Sequence, residues 1–163
     1  MAKKNKKKSK TNRIITFAGI AIIAAIIAFM VSLQTQNLRN NEFKKSIDSI
    51  ANDTVVLSRQ YQAEEGKWVN KQYDNKTMIS IINNYLPKYQ ELIDKAKALD
   101  TPDKYKDARA YLVDAIETEK QSNEHFRNYL VSGNRTEYQV SSNLLSKSLS
   151  DSAGYDSTIR AAG

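Results

Sequence analysis

The side chains best suited to chemistry lie in one uninterrupted polar run, Glu117 to His125 (ETEKQSNEH), which gathers three carboxylates, two amides and the chain's single imidazole within little more than two helical turns. In a helical bundle such a layer could hold an ion or a small ligand through Glu119, Asn123 and His125. Charge runs on helices are more commonly solvated faces, or pack through their side-chain stems, and that is the ordinary expectation for this one. Facing it in an antiparallel hairpin would be the Ser-rich run SSNLLSKSLS. Metal chemistry of the di-iron bundle type needs Glu-x-x-His pairs that bring carboxylate and imidazole to one face, but Ser122 stands three residues before His125 and there is no second His. The lack of cysteine removes disulfides, thiolate ligands and thiol nucleophiles together. Calcium-loop, zinc-protease, P-loop and nucleophile-elbow patterns are missing as well. No catalytic residue, metal ligand or cofactor is expected, and the chain reads as a non-enzyme.

Two other groups of residues could recognise something. Trp68, the only Trp, stands with Val69 and Tyr73 in EEGKWVNKQYDNKT, a Gly- and Asn-containing stretch that reads as a loop of about a dozen residues. It is either a contact anchor for a protein partner or a ring folded back onto the end of the domain. The second group is Lys3, Lys4, Lys6, Lys7, Lys8, Lys10 and Arg13, an acid-free cluster whose charge equals the formal +7 of the whole chain. The remainder is therefore balanced, so the pI of about 9.5 is no argument for nucleic-acid binding. Nine Tyr could stack on a ligand, although Tyr in a thin bundle more often buries its ring and lets the hydroxyl reach water. The N-x-T sequons at Asn52, Asn75 and Asn134 are about as frequent as chance would give.

What must position these groups begins with an uncharged run from Ile14 to Leu33, with Thr16 and Ser32 its only hydroxyls. As a helix it would be roughly 30 Å long, the thickness of a hydrocarbon core. The run is too long for a secretory signal and ends without a small-residue cleavage site, so an uncleaved, single-pass anchor is expected. The flanking cations place the N-terminus in the cytoplasm and the remainder outside the cell membrane, with the Lys run also able to hold anionic headgroups. Three regions follow: a basic tail (1–13), a transmembrane helix (14–33) and an extracytoplasmic domain (34–163).

Beyond the anchor the apolar spacing is helical throughout, with no convincing strand. Phe43, Ile47, Ile50, Thr54, Leu57 and Tyr61 form a seam at alternating steps of four and three, predicting a first helix over 34–64 continuous with the anchor. Met78, Ile82, Tyr85, Tyr89, Leu92, Ala96 and Leu99 predict a second, with a kink or short break near Asn83 to Leu86 imposed by Pro87. Thr101 as cap, Pro102 at the first helical position and Asp103 open a third over 102–131, closed by Gly133 as a left-handed cap. A fourth, 135–160, carries Tyr138, Leu145, Tyr155 and Ile159 among many Ser and has poor helix propensity. The expected fold is all-α, an antiparallel up-down four-helix bundle; a three-helix bundle with a disordered C-terminal tail is the alternative.

The run from Leu86 to Arg135, with its Pro-capped turn and Gly-terminated helix, resembles hairpins of small, single-pass, membrane-anchored extracytoplasmic helical-bundle proteins of uncharacterised function. The layout is also similar to four-helix chemoreceptor sensor domains, which return through a second transmembrane helix, and to pilins, in which a hydrophobic helix runs into an amphipathic one. The seam from Phe43 to Tyr61 supports the expected function, a bundle presented outside the cell that engages a protein partner or a second copy of itself. A ligand-binding module using the layer at 117–125 is the alternative. The expected partners are the lipid bilayer and a protein, not nucleic acid.

Overall fold

The computed structural model describes residues 6–162, with side chains from residue 28 onward. Every regular element among its described residues is a helix: α1 (Lys6–Val69), α2 (Asn75–Ala98), α3 (Lys106–Ser132) and α4 (Arg135–Ala162), with a short 3-10 turn (Asp103–Tyr105) before α3. They form two units, Met1–Glu42 and Phe43–Gly163. In the first, Phe29, Met30, Val31 and Leu33 are exposed, and Thr35 returns its hydroxyl to the Val31 carbonyl at 2.9 Å. Among the described residues no helix is long and apolar enough to cross a membrane. Most of the expected span 14–33 lies outside the residues whose side chains are described, as do Lys3, Lys4, Lys6, Lys7, Lys8, Lys10 and Arg13.

The second unit is an up-down-up-down bundle. Antiparallel α3 and α4 are joined where Ser122 meets Ser141 and Ser148 meets Ala115, while α2 runs against α3, with Arg127 reaching Asn83 and Arg109 reaching Leu99. On α1, parallel to α3, Phe43 stacks on Tyr105 at 5.0 Å and Trp68 meets Phe126 edge-on at 5.2 Å. The seam of α1 is buried as its spacing requires, with Ile47 fully enclosed and Phe43, Ile50, Leu57 and Tyr61 nearly so.

Several local expectations are corrected. The helix of α1 does not stop near residue 64: it passes through Gly66 and includes Trp68 and Val69, because Trp68 continues the seven-residue register of Ile47, Thr54 and Tyr61 and has a ring to bury. The connection shrinks to residues 70–74, with Lys71 in the left-handed region (φ 60) and the Gln72 amide bonding the Lys67 carbonyl. Helix α2 runs without a break through Pro87. Both Pro87 and Asn83 are exposed, so the carbonyl deprived of its proline donor can be hydrated. Its N-terminus is capped by Asp74, whose carboxylate accepts from the Thr77 amide at 2.7 Å. Thr101 is not a cap: its hydroxyl donates to Leu99, and Pro102 precedes the 3-10 turn instead of opening α3. Gly133 does close α3 at φ 70, its amide on the Tyr129 carbonyl at 2.8 Å.

On α4 the expected core positions Tyr138 and Leu145 are exposed, and Ser141 and Ser148 are buried in their place, in one seven-residue register with Tyr155. The Ser122 hydroxyl donates to the Ser141 carbonyl and that of Ser148 to the Ala115 carbonyl, both at 2.8 Å. Small hydroxyl side chains let the two backbones approach closely, so α4 is docked by short polar contacts where a larger apolar residue would hold it away.

Candidate functional site

Two apolar clusters fill the bundle. One surrounds Ile47, Tyr89, Ile116 and Tyr155; the other surrounds Tyr61, Met78, Ile82 and Phe126. On α3 they are separated by Thr118, Glu119, Ser122 and Asn123, all buried. The polar run is therefore an internal layer on its inward face, which corrects the expectation of a solvated one. The outward members behave as surface charges: Lys97 pairs with Glu117, and Lys120 with Glu124 at 2.9 Å.

Glu119 is the centre of the layer. Its two oxygens accept from the Ser58 hydroxyl of α1 at 2.8 Å and the Tyr89 hydroxyl of α2 at 2.9 Å. Both donors are neutral, and no cation pairs with it among the ion pairs of the described residues. Burial pushes its carboxyl above the usual carboxylate range, and the two hydroxyl bonds offset only part of this. Burial likewise raises Glu65. The phenols of Tyr61 and Tyr89 are also raised, first by burial and then by the neighbouring acids, so both remain neutral.

Beside this carboxylate are two buried polar atoms without a protein partner at good hydrogen-bond geometry, the Tyr61 hydroxyl and Asn123 Nδ2, although Asn123 stands near enough to the Tyr89 phenol to oppose part of the effect of its burial. Tyr61 is 4% exposed and Asn123 5%, so little bulk water reaches them. Leaving such a group unmatched costs about 1–3 kcal/mol. Both residues line a cleft of about 100 Å³ between α1 and α4, floored by α3, whose walls include Glu65, Glu119, Tyr138 and Ser141. Glu119 also lines a wider recess of about 510 Å³ along the same helix pair, bordered by Asp48, Val55, Leu112 and Asp156. A shallower groove of about 230 Å³ between α1 and α2 differs in being lined by Lys88 and Lys95 together with Asp53 and Glu91.

The residues expected to act together are only partly assembled. Glu119 and Asn123 share the cleft, but His125 does not line it: its Nδ1 lies 2.7 Å from Glu137 at the edge of the α3–α4 contact, and that pairing lowers the Glu137 carboxyl. Trp68, half-buried, closes the bundle end: its indole N–H donates to Asn75 Oδ1 at 2.9 Å, and the Asn75 amide reaches the Leu130 carbonyl. Tyr73 donates to Glu64 at 2.8 Å, and only Val69 of that trio is exposed. Ser58, Tyr61, Glu65 and Tyr89 were not singled out as site residues from sequence. The available signal was a pair of Tyr at core positions on facing helices, since a buried phenol needs a polar neighbour. Among the described residues no cluster of ligating side chains could hold a metal ion. No protein-family model, curated protein or solved structure matches the chain, so the chemistry of the cleft has to be read from its own side chains.

Proposed function

We propose that the chain is a non-enzymatic binding module: a helical bundle held at the outer face of a cell membrane by its N-terminal segment, which takes a small polar ligand between α1 and α4 at Glu119. The observation that carries this reading is a pair of buried polar atoms without a protein partner at good hydrogen-bond geometry, Tyr61 OH and Asn123 Nδ2, in residues that line a cleft together with Glu119, a carboxylate held by hydroxyls and no cation. A bundle selected for stability alone gains nothing from such an arrangement, because apolar residues of similar volume would remove the desolvation cost. A ligand with matching polar groups returns that cost on binding. The anchoring part of the proposal is supported by the uncharged run from Ile14 to Leu33, its preceding cations and the exposed Phe29, Met30, Val31 and Leu33.

Thermal unfolding of the full-length chain in detergent against a library of metabolites and ions tests the binding reading. A ligand at one hundred times its dissociation constant should stabilise by about 2.7 kcal/mol, and a library without any stabilising member argues against it. For the anchor, protease added to intact cells should remove the bundle and spare an N-terminal tag, whereas protection of the bundle reverses the orientation. A second reading, capture of a protein partner or a second copy, is favoured by Val69 and Val131, which are 64% and 70% exposed close to the ends of α1 and α3. Its test is cross-linking from membranes with and without Val69→Asp and Val131→Asp.

A further inference from the structure

The groove between α1 and α4 has a consistent charge character. No Lys or Arg lines either the tight cleft or the wider recess, although Lys and Arg are as numerous as acids beyond the basic tail. The acids lining them are Glu65 and Glu119 in the cleft, with Asp48 and Asp156 at the border of the recess. The two border acids are already answered, Asp48 by Lys44 at 3.0 Å and the Tyr155 hydroxyl at 3.0 Å, and Asp156 by Arg160 at 3.5 Å. Glu119 has only hydroxyl donors, leaving lone pairs on both oxygens for a further donor. The same cleft is lined by Tyr61, Phe126 and Tyr138, aromatic residues whose ring faces favour a cation over an anion.

From this lining we infer that the ligand is a small protonated aliphatic amine, its ammonium directed at Glu119 and its alkyl body against the aromatic and aliphatic walls. This rests on the reading of the groove as the binding site. Size limits the choice further. A cavity of about 150 Å³ accommodates benzene, so the cleft of about 100 Å³ accepts an ammonium and a few carbons. A longer chain has to continue past Glu119 into the wider recess, where Val55, Leu112 and Ile159 offer apolar contact. The partnerless Tyr61 hydroxyl can accept from the same ammonium, and Asn123 Nδ2 can donate to an oxygen carried by the ligand or by a water bound with it. Inorganic anions and carboxylic acids are disfavoured because they would meet two acids and no cation.

The ionisable side chains near the ammonium are Glu65 and Tyr61 of α1, Tyr89 of α2, Glu119 of α3 and Tyr138 of α4, of which the two carboxyls matter here. Proton and amine compete for the raised carboxyls of Glu119 and Glu65, so amine affinity should increase as pH rises through and above the ordinary carboxylate range.

Titration calorimetry on the full-length chain in detergent, at fixed ionic strength and pH 8, uses butylamine, butane-1,4-diamine, butyrate, butane-1,4-diol and magnesium chloride as probes. The two amines should bind at least tenfold more tightly than butyrate, the diol or Mg²⁺. Glu119→Gln should weaken amine binding at least tenfold, while Lys88→Ala and Lys95→Ala in the neighbouring groove leave it unchanged. Glu65→Gln, expected to weaken it severalfold, replaces Glu119→Gln should that variant lose its helical circular dichroism. Butyrate, diol or Mg²⁺ binding as tightly as the amines, with loss in Glu119→Gln, overturns the amine and leaves the groove standing as a site. Amine affinity that survives both glutamate changes overturns its placement. Silence of all five probes overturns the amine, and only silence of the full metabolite library as well removes the groove.

Discussion

Tyr61→Phe removes one oxygen from the bundle and should make it more stable. The hydroxyl is buried and unpartnered, and a group in that state costs about 1–3 kcal/mol relative to water. The cleft that Tyr61 lines is about 100 Å³, large enough for a water molecule, which within reach of the hydroxyl would recover part of that cost and argues for the lower end of the range. The ring is otherwise untouched: its edge contact with Tyr85, at 5.5 Å between centroids, needs no hydroxyl. The expected gain is therefore about 1 kcal/mol, or roughly 4 °C in midpoint for a unit of this size. Urea unfolding followed by circular dichroism, on the wild-type and Tyr61→Phe chains in the same detergent and without added ligand, reads this directly. If the groove is a binding site, the same variant should bind its ligand less well, so stability and affinity move in opposite directions. A loss of stability of 1 kcal/mol or more would show that the hydroxyl is already satisfied in the free protein, and the argument from unmatched polar atoms would fail.

Glu119→Gln tests the buried carboxyl. Burial raises its folded pKa above the unfolded value of 4.5, so its contribution to stability is full below that value and is lost as pH rises through the folded pKa. The Gln variant should show a flatter decline of stability as pH rises above 4.5, and at pH 7 it should be at least as stable as wild type; a less stable variant at pH 7 contradicts the sign. Trp68→Ala should cost on the order of 3 kcal/mol in urea unfolding, because the indole covers Phe126 and holds Asn75. A loss below about 1 kcal/mol would return Trp68 to the role of an exposed anchor. Gly133→Ala meets no atom within 4 Å, so its cost is that of the left-handed backbone alone, about 1 kcal/mol, with α3 and α4 otherwise intact.

The parts of the fold legible in sequence are those where the buried face is apolar. Phe43, Ile47, Ile50, Leu57 and Tyr61 follow a spacing that only one helical face satisfies, and each is buried. Composition misleads where the buried face is polar. Ser141 and Ser148 read as weak helix formers on a marginal segment, yet their small side chains bring α4 close enough to α3 for the Ser122 hydroxyl to reach a backbone carbonyl. The same blindness affects the site. Glu119 and Asn123 are four apart and share a face, a relation visible in the sequence, but their burial depends on Ser58 and Tyr89, which lie on other helices and reach Glu119 only after folding. His125 is six residues beyond Glu119, a step of about 600° around the helix, or 240° net. That rotation takes it off the Glu119 face and toward Glu137. A polar run can thus be divided into inward and outward members by helical phase alone, whereas the energetic meaning of its inward members depends on what the facing helices bring to them. Here they bring hydroxyls and no cation, which leaves a buried acid unneutralised within the chain's own structure and makes a cationic ligand the complement it lacks.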